Sequence, residues 1–156
     1  MTAKIVAAAV QAAPVFLDRD ATIDKAVLLT KEAAANGAGL VVFPEAFVPG
    51  YPDWVWRTTP WSDRDWYERL YDQAVEVPGP ATEALGTVAA EASVYQAIGV
   101  TERAGGTLYN ALLFFAPDGS LLGKHRKLMP TGAERLVWGQ GESSLFVKTG
   151  FGSSSG

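Results

Sequence analysis

The sequence of 156 residues contains no cysteine and only one histidine, His125. Without cysteine, the chain can hold no disulfide, no thiolate metal site and no cysteine nucleophile of its own. A metal site that needs two histidine ligands is also excluded. Charged residues make up only 19% of the chain, and the formal net charge is −4. This mildly acidic balance argues against a nucleic-acid partner.

Long hydrophobic runs are missing as well. No stretch approaches the length that crosses a bilayer, and the apolar run at residues 5–10 is short and lacks a signal-peptide cleavage site. We therefore expect a cytoplasmic protein with no membrane partner. Hydrophobic residues still make up 48% of the chain, and this length is enough for one domain with its own core.

The spacing of hydrophobic residues predicts strands interspersed with helices. Strands are predicted at 5–12, 40–43, 96–101, 108–115 and 121–126, and helices at 21–36, in a short stretch that ends near residue 74, and at 81–93. The first strand is expected to be covered on both faces. Asp20 or Thr22 is expected to cap the first helix, and Ser62 with Asp65 resembles a capping box for the second. This order predicts an α/β fold with helices on one face of a mixed sheet, and a further strand begins at 145–148.

The first candidate site residue is Glu45, which follows a predicted strand and begins a long loop rich in proline and glycine. Such strand ends are where α/β proteins place reactive groups. A carboxylate packed among Phe43, Phe47 and Tyr51 would be shielded from water, which suits a general base. The position also allows a simpler role for Glu45, in which it accepts hydrogen bonds from loop amides.

A run of four potentially basic residues, from Lys124 to Lys127, ends the last predicted strand. Strand alternation sends Lys124 and Arg126 to one side of the sheet and His125 and Lys127 to the other. A lysine that faces a cleft can stabilise a developing anion. A solvated basic patch is the alternative. Glu134, seven residues after Lys127, is by itself best explained as a salt-bridge partner.

Aromatic residues are concentrated in one part of the chain. Nine of the 17 lie within 29 residues, many of them in loop sequence: Phe43, Phe47, Tyr51, Trp54, Trp56, Trp61, Trp66, Tyr67 and Tyr71. They could line an apolar ligand pocket or form a subunit interface. No phosphate-binding glycine motif and no G-x-S-x-G elbow occurs in the sequence.

Two motifs, FPEAFVPGYPDW at 43–54 and HRKLMPTGAERLVWGQG at 125–141, together resemble the N-terminal part of the nitrilase (carbon–nitrogen hydrolase) superfamily, and its nitrilase branch in particular. The resemblance runs from Lys4 to about Phe151. It implies an α-β-β-α sandwich, of which this chain supplies roughly the first half. Residues 1–151 are expected to form a partial carbon–nitrogen hydrolase domain, and residues 152–156 a low-complexity tail.

The resemblance also implies an activity. Enzymes of the nitrilase branch convert a nitrile and water into a carboxylic acid and ammonia through a cysteine thioimidate. Glu45 matches the general base, Lys127 the catalytic lysine and Glu134 the second glutamate, while Tyr51 and Trp54 are expected to contact the substrate. The expected partners are a small-molecule nitrile and further copies of the chain in a homo-oligomer. Neither a metal nor an organic cofactor is implied.

The family's cysteine lies just beyond the position of Phe151, where this chain has serines that lack the following helix. We therefore expect the chain to be truncated before its nucleophile and to be inactive as given. Two alternatives stay open. One is an amidase or carbamoylase of the same superfamily, which would use the same Glu45 and Lys127. The other is a non-catalytic fragment that associates with a full-length homologue.

Overall fold

The computed structural model describes residues 4–142. Within this range the chain forms five strands: β1 (Ala7–Ala9), β2 (Leu40–Val42), β3 (Tyr95–Ala104), β4 (Thr107–Phe115) and β5 (Leu121–Arg126). It also forms three α-helices: α1 (Arg19–Ala35), α2 (Arg64–Gln73) and α3 (Pro80–Ala92). Short 3-10 turns cover Asp53–Trp56, Pro60–Ser62 and Gly132–Leu136. The strand predicted at 145–148 and the tail at 152–156 lie outside the described residues.

The strands form one mixed sheet in the order β1-β2-β3-β4-β5. β1, β2 and β3 run parallel to one another, and β4 and β5 continue the sheet in antiparallel fashion. Parallel neighbours need a crossover, which α1 provides between β1 and β2, and α2 and α3 between β2 and β3. The predicted mixed sheet with helices on one face is confirmed.

The main core lies between the sheet and helices α1 and α3. Its buried members include Ile23, Ala26, Val41, Leu85, Ala89, Ile98, Val100, Leu113 and Phe115. Full burial of one large aliphatic or aromatic side chain contributes roughly 1.5–3 kcal/mol, so this layer holds the helices against the sheet. A buried hydrogen bond of 2.8 Å from Gln96 Nε2 to the Thr30 hydroxyl crosses the same layer.

The first strand differs from the prediction. β1 spans three residues rather than 5–12, and Ile5 and Val6 are 42% and 58% exposed. The expectation of a strand covered on both faces is wrong within the described residues, because Ala8 packs against the main core while Ala7 and Ala9, on the other face, are exposed. The sequence pattern records which residues are apolar, but not what covers them.

The predicted helix caps are also wrong. α1 begins at Arg19 because the Asp18 carboxylate, rather than Asp20 or Thr22, accepts a 3.0 Å hydrogen bond from the Ala21 amide. The Thr22 hydroxyl instead accepts from the Val15 amide at 3.1 Å, which ties the incoming loop to the helix.

No capping box forms at the start of α2. Asp63 precedes this helix and makes no side-chain capping hydrogen bond. The Ser62 hydroxyl contacts the Thr59 hydroxyl at 3.0 Å instead, because Ser62 lies within the preceding 3-10 turn.

A second hydrophobic cluster orders the long loop after β2. Its buried residues are Leu17, Ala46, Trp54, Val55, Leu70, Ala74, Leu108, Val137 and Trp138. These residues come from the segment before α1, from the loop, from the end of α2, from β4 and from the segment that follows β5. The cluster therefore brings the chain that leaves β2 beside the chain that leaves β5. None of the helices within residues 4–142 is long and apolar enough to span a membrane.

Candidate active site

Glu45 follows β2 directly, and the backbone around it presses against β3. A Cβ atom at position 99 would collide with the Pro44 carbonyl oxygen and the Ala46 amide nitrogen, so only Gly99 permits this approach. The Phe43 amide donates to the Ala97 carbonyl at 2.8 Å and continues the sheet up to the turn. The Glu45 carboxylate is thus carried over the sheet face opposite the helices.

Lys127 follows β5 and is held through its backbone. Its amide donates to the Asn110 carbonyl at 2.7 Å, and its carbonyl accepts from the Gly141 amide at 3.0 Å. The bond to Asn110 continues the β4–β5 pairing by one residue, so strand alternation still governs the direction of the side chain. The Lys127 side chain points to the same face as the Glu45 carboxylate.

The other two cations of the basic run point to the opposite face. Lys124 and Arg126 both bind the buried carboxylate of Glu102, with the Arg126 bonds at 2.7 and 2.9 Å. Burial acts to raise the pKa of Glu102, but the hydrogen bonds from Arg126 and Lys124 outweigh it and leave this pKa below its ordinary value. The predicted alternation of the run is confirmed.

Glu45, Lys127 and Glu134 meet in one ion-pair group. Lys127 Nζ lies 2.8 Å from Glu45 Oε1 and 2.9 Å from Glu134 Oε2. Burial acts to lower the pKa of Lys127, but the hydrogen bonds to the two carboxylates outweigh it and raise this pKa above its ordinary value. The lysine is therefore a fixed cation with two acceptors.

The Glu134 carboxylate is buried and surrounded by donors. Besides Lys127, it accepts 2.6 Å and 2.7 Å hydrogen bonds from the Thr131 amide and the Tyr51 hydroxyl. Burial acts to raise the pKa of Glu134, and these donors outweigh it, so this pKa lies below its ordinary value. Glu134 is consequently an ionised anchor with no proton to give.

The Glu45 carboxylate is more open than the sequence suggests. Its side chain is 50% exposed, whereas Phe43 and Phe47 are buried in the main core. The expected shielding of Glu45 by these rings is therefore wrong within residues 4–142. Glu45 Oε1 accepts from both Lys127 Nζ and Asn110 Nδ2, at 2.8 and 2.6 Å.

Asn110 is the residue that the sequence patterns missed. It is buried in β4, in the otherwise apolar stretch that follows Tyr109. One signal for it was present, since a buried amide in a core strand needs a hydrogen-bond partner. The partner could not be found from spacing, because Glu45 lies 65 positions away in the sequence.

The two aromatic residues expected to contact the substrate have different positions. The Tyr51 hydroxyl donates to Glu134 and accepts a 2.9 Å hydrogen bond from the Trp56 indole. Burial raises the pKa of Tyr51. Trp54 lies apart from this group, where its buried ring stacks on Trp66 at 5.9 Å. Substrate contact by Tyr51 and Trp54 stays a prediction.

A cleft of about 360 Å³ opens beside Glu45 and Lys127 on the sheet face away from the helices. Its walls are mainly apolar and include Val42, Leu112 and the His125 ring. Within residues 4–142, no three acidic or histidine side chains converge as metal ligands would. The group therefore combines a fixed cation, an anchored carboxylate and a half-open carboxylate next to an apolar cleft.

Comparison with known proteins decides the family. The sequence pattern of the carbon–nitrogen hydrolase family matches residues 6–155, nearly the whole chain. The chain belongs to the carbon–nitrogen hydrolase family. The resemblance that the two motifs indicated is thereby confirmed.

Two carbon–nitrogen hydrolase relatives are similar over most of this chain. It is 48% identical over 151 residues to a nitrilase of Bacillus sp. (strain OxB-1), a match that covers 96% of this chain and 44% of that relative. It is 52% identical over 158 residues to an aliphatic nitrilase of Sinorhizobium fredii (strain HH103), a match that covers 96% of this chain and 51% of that relative. The chain thus spans about half the length of these relatives.

Solved structures show the same carbon–nitrogen hydrolase fold. A CN-hydrolase superfamily protein from Xanthomonas campestris has a TM-score of 0.71 at 26% identity, covering 91% of this chain and 48% of that one. An amidase from Nesterenkonia sp. has a TM-score of 0.67 at 17% identity, covering 92% of this chain and 51% of that one. At 17% identity, the likeness to the amidase concerns the fold alone.

Proposed function

We propose that this chain supplies the glutamate–lysine–glutamate part of a nitrile-hydrolysing active site. The observation that carries the proposal is the position of Lys127 Nζ, which contacts Glu45 Oε1 at 2.8 Å and Glu134 Oε2 at 2.9 Å. A cation held this way can donate to a substrate nitrogen that gains negative charge as a nucleophile attacks the adjacent carbon. Glu134 keeps the ammonium in place while Glu45 moves protons.

The nucleophile in this proposal is a cysteine thiol from sequence outside this chain, which contains no cysteine. Glu45 takes the thiol proton, the sulfur bonds to the nitrile carbon, and the nitrile nitrogen gains a proton to give a thioimidate. A first water then adds to the carbon, and the carbon–nitrogen bond breaks to release ammonia and leave a thioester. A second water, activated by Glu45, releases the carboxylic acid and restores the thiol.

The choice of a nitrile over an amide as substrate rests on the relatives. The Bacillus and Sinorhizobium proteins are named as nitrilases, and each matches 96% of this chain. The amidase from Nesterenkonia sp. is far less similar in sequence, at 17% identity. The amidase or carbamoylase alternative uses the same Glu45 and Lys127, so it has to be separated by assay.

The test uses a chimera in which residues 1–151 of this chain replace the matching part of the Bacillus nitrilase. Ammonia release is measured with aliphatic, aromatic and arylacetonitrile substrates and with the corresponding amides. Turnover of nitriles that is lost in Glu45→Gln supports the proposal. Turnover of amides alone would favour the amidase alternative. A folded chimera that hydrolyses neither class would favour the non-catalytic alternative.

A further inference from the structure

Asn110 contacts both members of the Glu45–Lys127 pair. Its side-chain Nδ2 donates to Glu45 Oε1 at 2.6 Å, and its backbone carbonyl accepts from the Lys127 amide at 2.7 Å. The residue is buried within β4, so its own position is set by the sheet. One residue of a rigid strand thus holds the loop that follows β2 and the segment that follows β5.

The hydrogen bonds to Glu45 are unevenly shared between its two oxygens. Oε1 accepts from Asn110 Nδ2 and from Lys127 Nζ, which accounts for both of its lone pairs. Among residues 4–142, Oε2 has no hydrogen-bond partner. A carboxylate in this state has one oxygen that is held by the protein and one that can accept a proton.

We propose that Asn110 is a positioning residue that orients the Glu45 carboxylate so that Oε2 faces the nucleophile. This inference rests on the proposed function. In the first step the S–H bond breaks, its proton goes to Glu45 Oε2, and the sulfur electron pair forms the bond to the nitrile carbon. Asn110 acts only through Glu45 and Lys127 and takes no part in the bonds that change.

A purely structural role for Asn110 leads to a different expectation. If its amide only satisfied buried polar groups, its removal would lower stability and leave the kcat of the folded enzyme unchanged. If it orients Glu45, its removal lowers kcat and leaves KM nearly unchanged, because the carboxylate no longer faces the thiol while substrate binding is kept.

The test compares Asn110→Leu with the parent chimera, since leucine keeps a similar volume and removes the donor. Asn36→Leu is the matched control, because Asn36 is an exposed asparagine at the end of α1 and far from the site in the fold. We measure kcat and KM and solve crystal structures of all three proteins. For Asn110→Leu we expect kcat to fall on the order of 10²-fold.

The same variant is expected to keep KM within about twofold, because Asn110 does not bind substrate. Its Glu45 carboxylate is expected to turn away from Lys127. A kcat that stays at the parent value, or a Glu45 carboxylate that stays in place on Lys127, would overturn the proposal. If the parent chimera hydrolyses no substrate, the proposed function fails, and the crystal structures still decide whether Asn110 positions Glu45.

Discussion

Lys127 Nζ lies 2.8 Å from Glu45 Oε1, although the two residues are 82 positions apart in the sequence. The contact depends on two features of the sheet. Gly99 in β3 allows the backbone around Glu45 to lie on the sheet, and the Asn110 carbonyl in β4 fixes the backbone of Lys127. The proposed chemistry thus depends on backbone geometry that neither residue determines by itself.

Gly99→Ala is expected to displace Glu45 and to lower both stability and turnover of the chimera. The added Cβ meets backbone atoms of Pro44 and Ala46, which cannot move aside as a side chain can. Overpacking of this kind typically lowers the free energy of unfolding by about 1–3 kcal/mol. Urea denaturation and an ammonia assay measure the two effects.

The matched control is Gly106→Ala, because no atom lies within 4 Å of a Cβ built at that exposed turn position. We expect this variant to retain the stability and the turnover of the parent chimera. Equal effects of the two alanine substitutions would contradict the role assigned to Gly99.

The Glu102 carboxylate predicts a pH dependence of stability. Because Arg126 and Lys124 hold the pKa of Glu102 below its ordinary value against the effect of burial, ionised Glu102 stabilises the folded state. This contribution is complete above the unfolded-state pKa of about 4.3 and is lost as the pH falls through the lower folded-state pKa. Glu102→Gln should lower the free energy of unfolding at neutral pH by roughly 1–3 kcal/mol and flatten its fall in acid.

Urea denaturation of the chimera between neutral and acidic pH checks this expectation. Glu83→Gln is the control, because Glu83 is exposed on α3. If Glu102→Gln and its parent lose stability in parallel as the pH falls, the assignment to Glu102 is wrong.

The 156-residue chain by itself is expected to show no measurable nitrile hydrolysis. It contains no cysteine, so Glu45 and Lys127 have no thiol to activate. Ammonia release from aliphatic, aromatic and arylacetonitriles is the assay. Turnover above background that disappears in Glu45→Gln would show that the site works without a thiol.

The same chain is expected to self-associate or to be only partly ordered. Val42 is 38% exposed, and Leu112 and Phe114 are half-buried, on the sheet face that no helix in residues 4–142 covers. Several hundred Å² of apolar surface at about 25 cal/mol per Å² amounts to several kcal/mol, which is comparable with the net stability of a domain.

Sedimentation velocity and the binding of a hydrophobic dye test this expectation. Phe114→Lys should reduce association, whereas Leu28→Lys, on the exposed side of α1, should not. A sharp monomer boundary in sedimentation, together with weak dye binding and a cooperative thermal unfolding transition, would contradict the expected self-association.

Local sequence patterns predicted the elements that carry strong signals. The predicted strand at 121–126 coincides with β5, and the predicted helix at 81–93 is displaced by one residue from α3. The direction of Lys127 also followed from alternation, because its backbone continues the pairing of β5 with β4. These features depend on hydrophobic period and turn residues, which a single segment contains.

Features that depend on distant residues were not predictable in this way. The Asn110–Glu45 hydrogen bond joins a residue of β4 to the loop after β2, 65 positions away in the sequence. The chain enters α1 through Leu17, whose backbone has φ of 53° and whose side chain is buried in the second hydrophobic cluster with residues distant in the sequence. The meeting of Glu45, Lys127 and Glu134 was expected only because the two motifs together resemble a known family.

The most direct test of the proposed roles compares Lys127→Ala with Lys124→Ala in the chimera. Lys127→Ala should lower kcat/KM on the order of 10²–10³-fold, because it removes the cation held between Glu45 and Glu134. Lys124→Ala should lower kcat/KM only mildly, since Arg126 still binds the buried Glu102 carboxylate through two hydrogen bonds. Equal losses in the two variants, with circular dichroism unchanged in both, would contradict the assignment of Lys127 as the catalytic lysine.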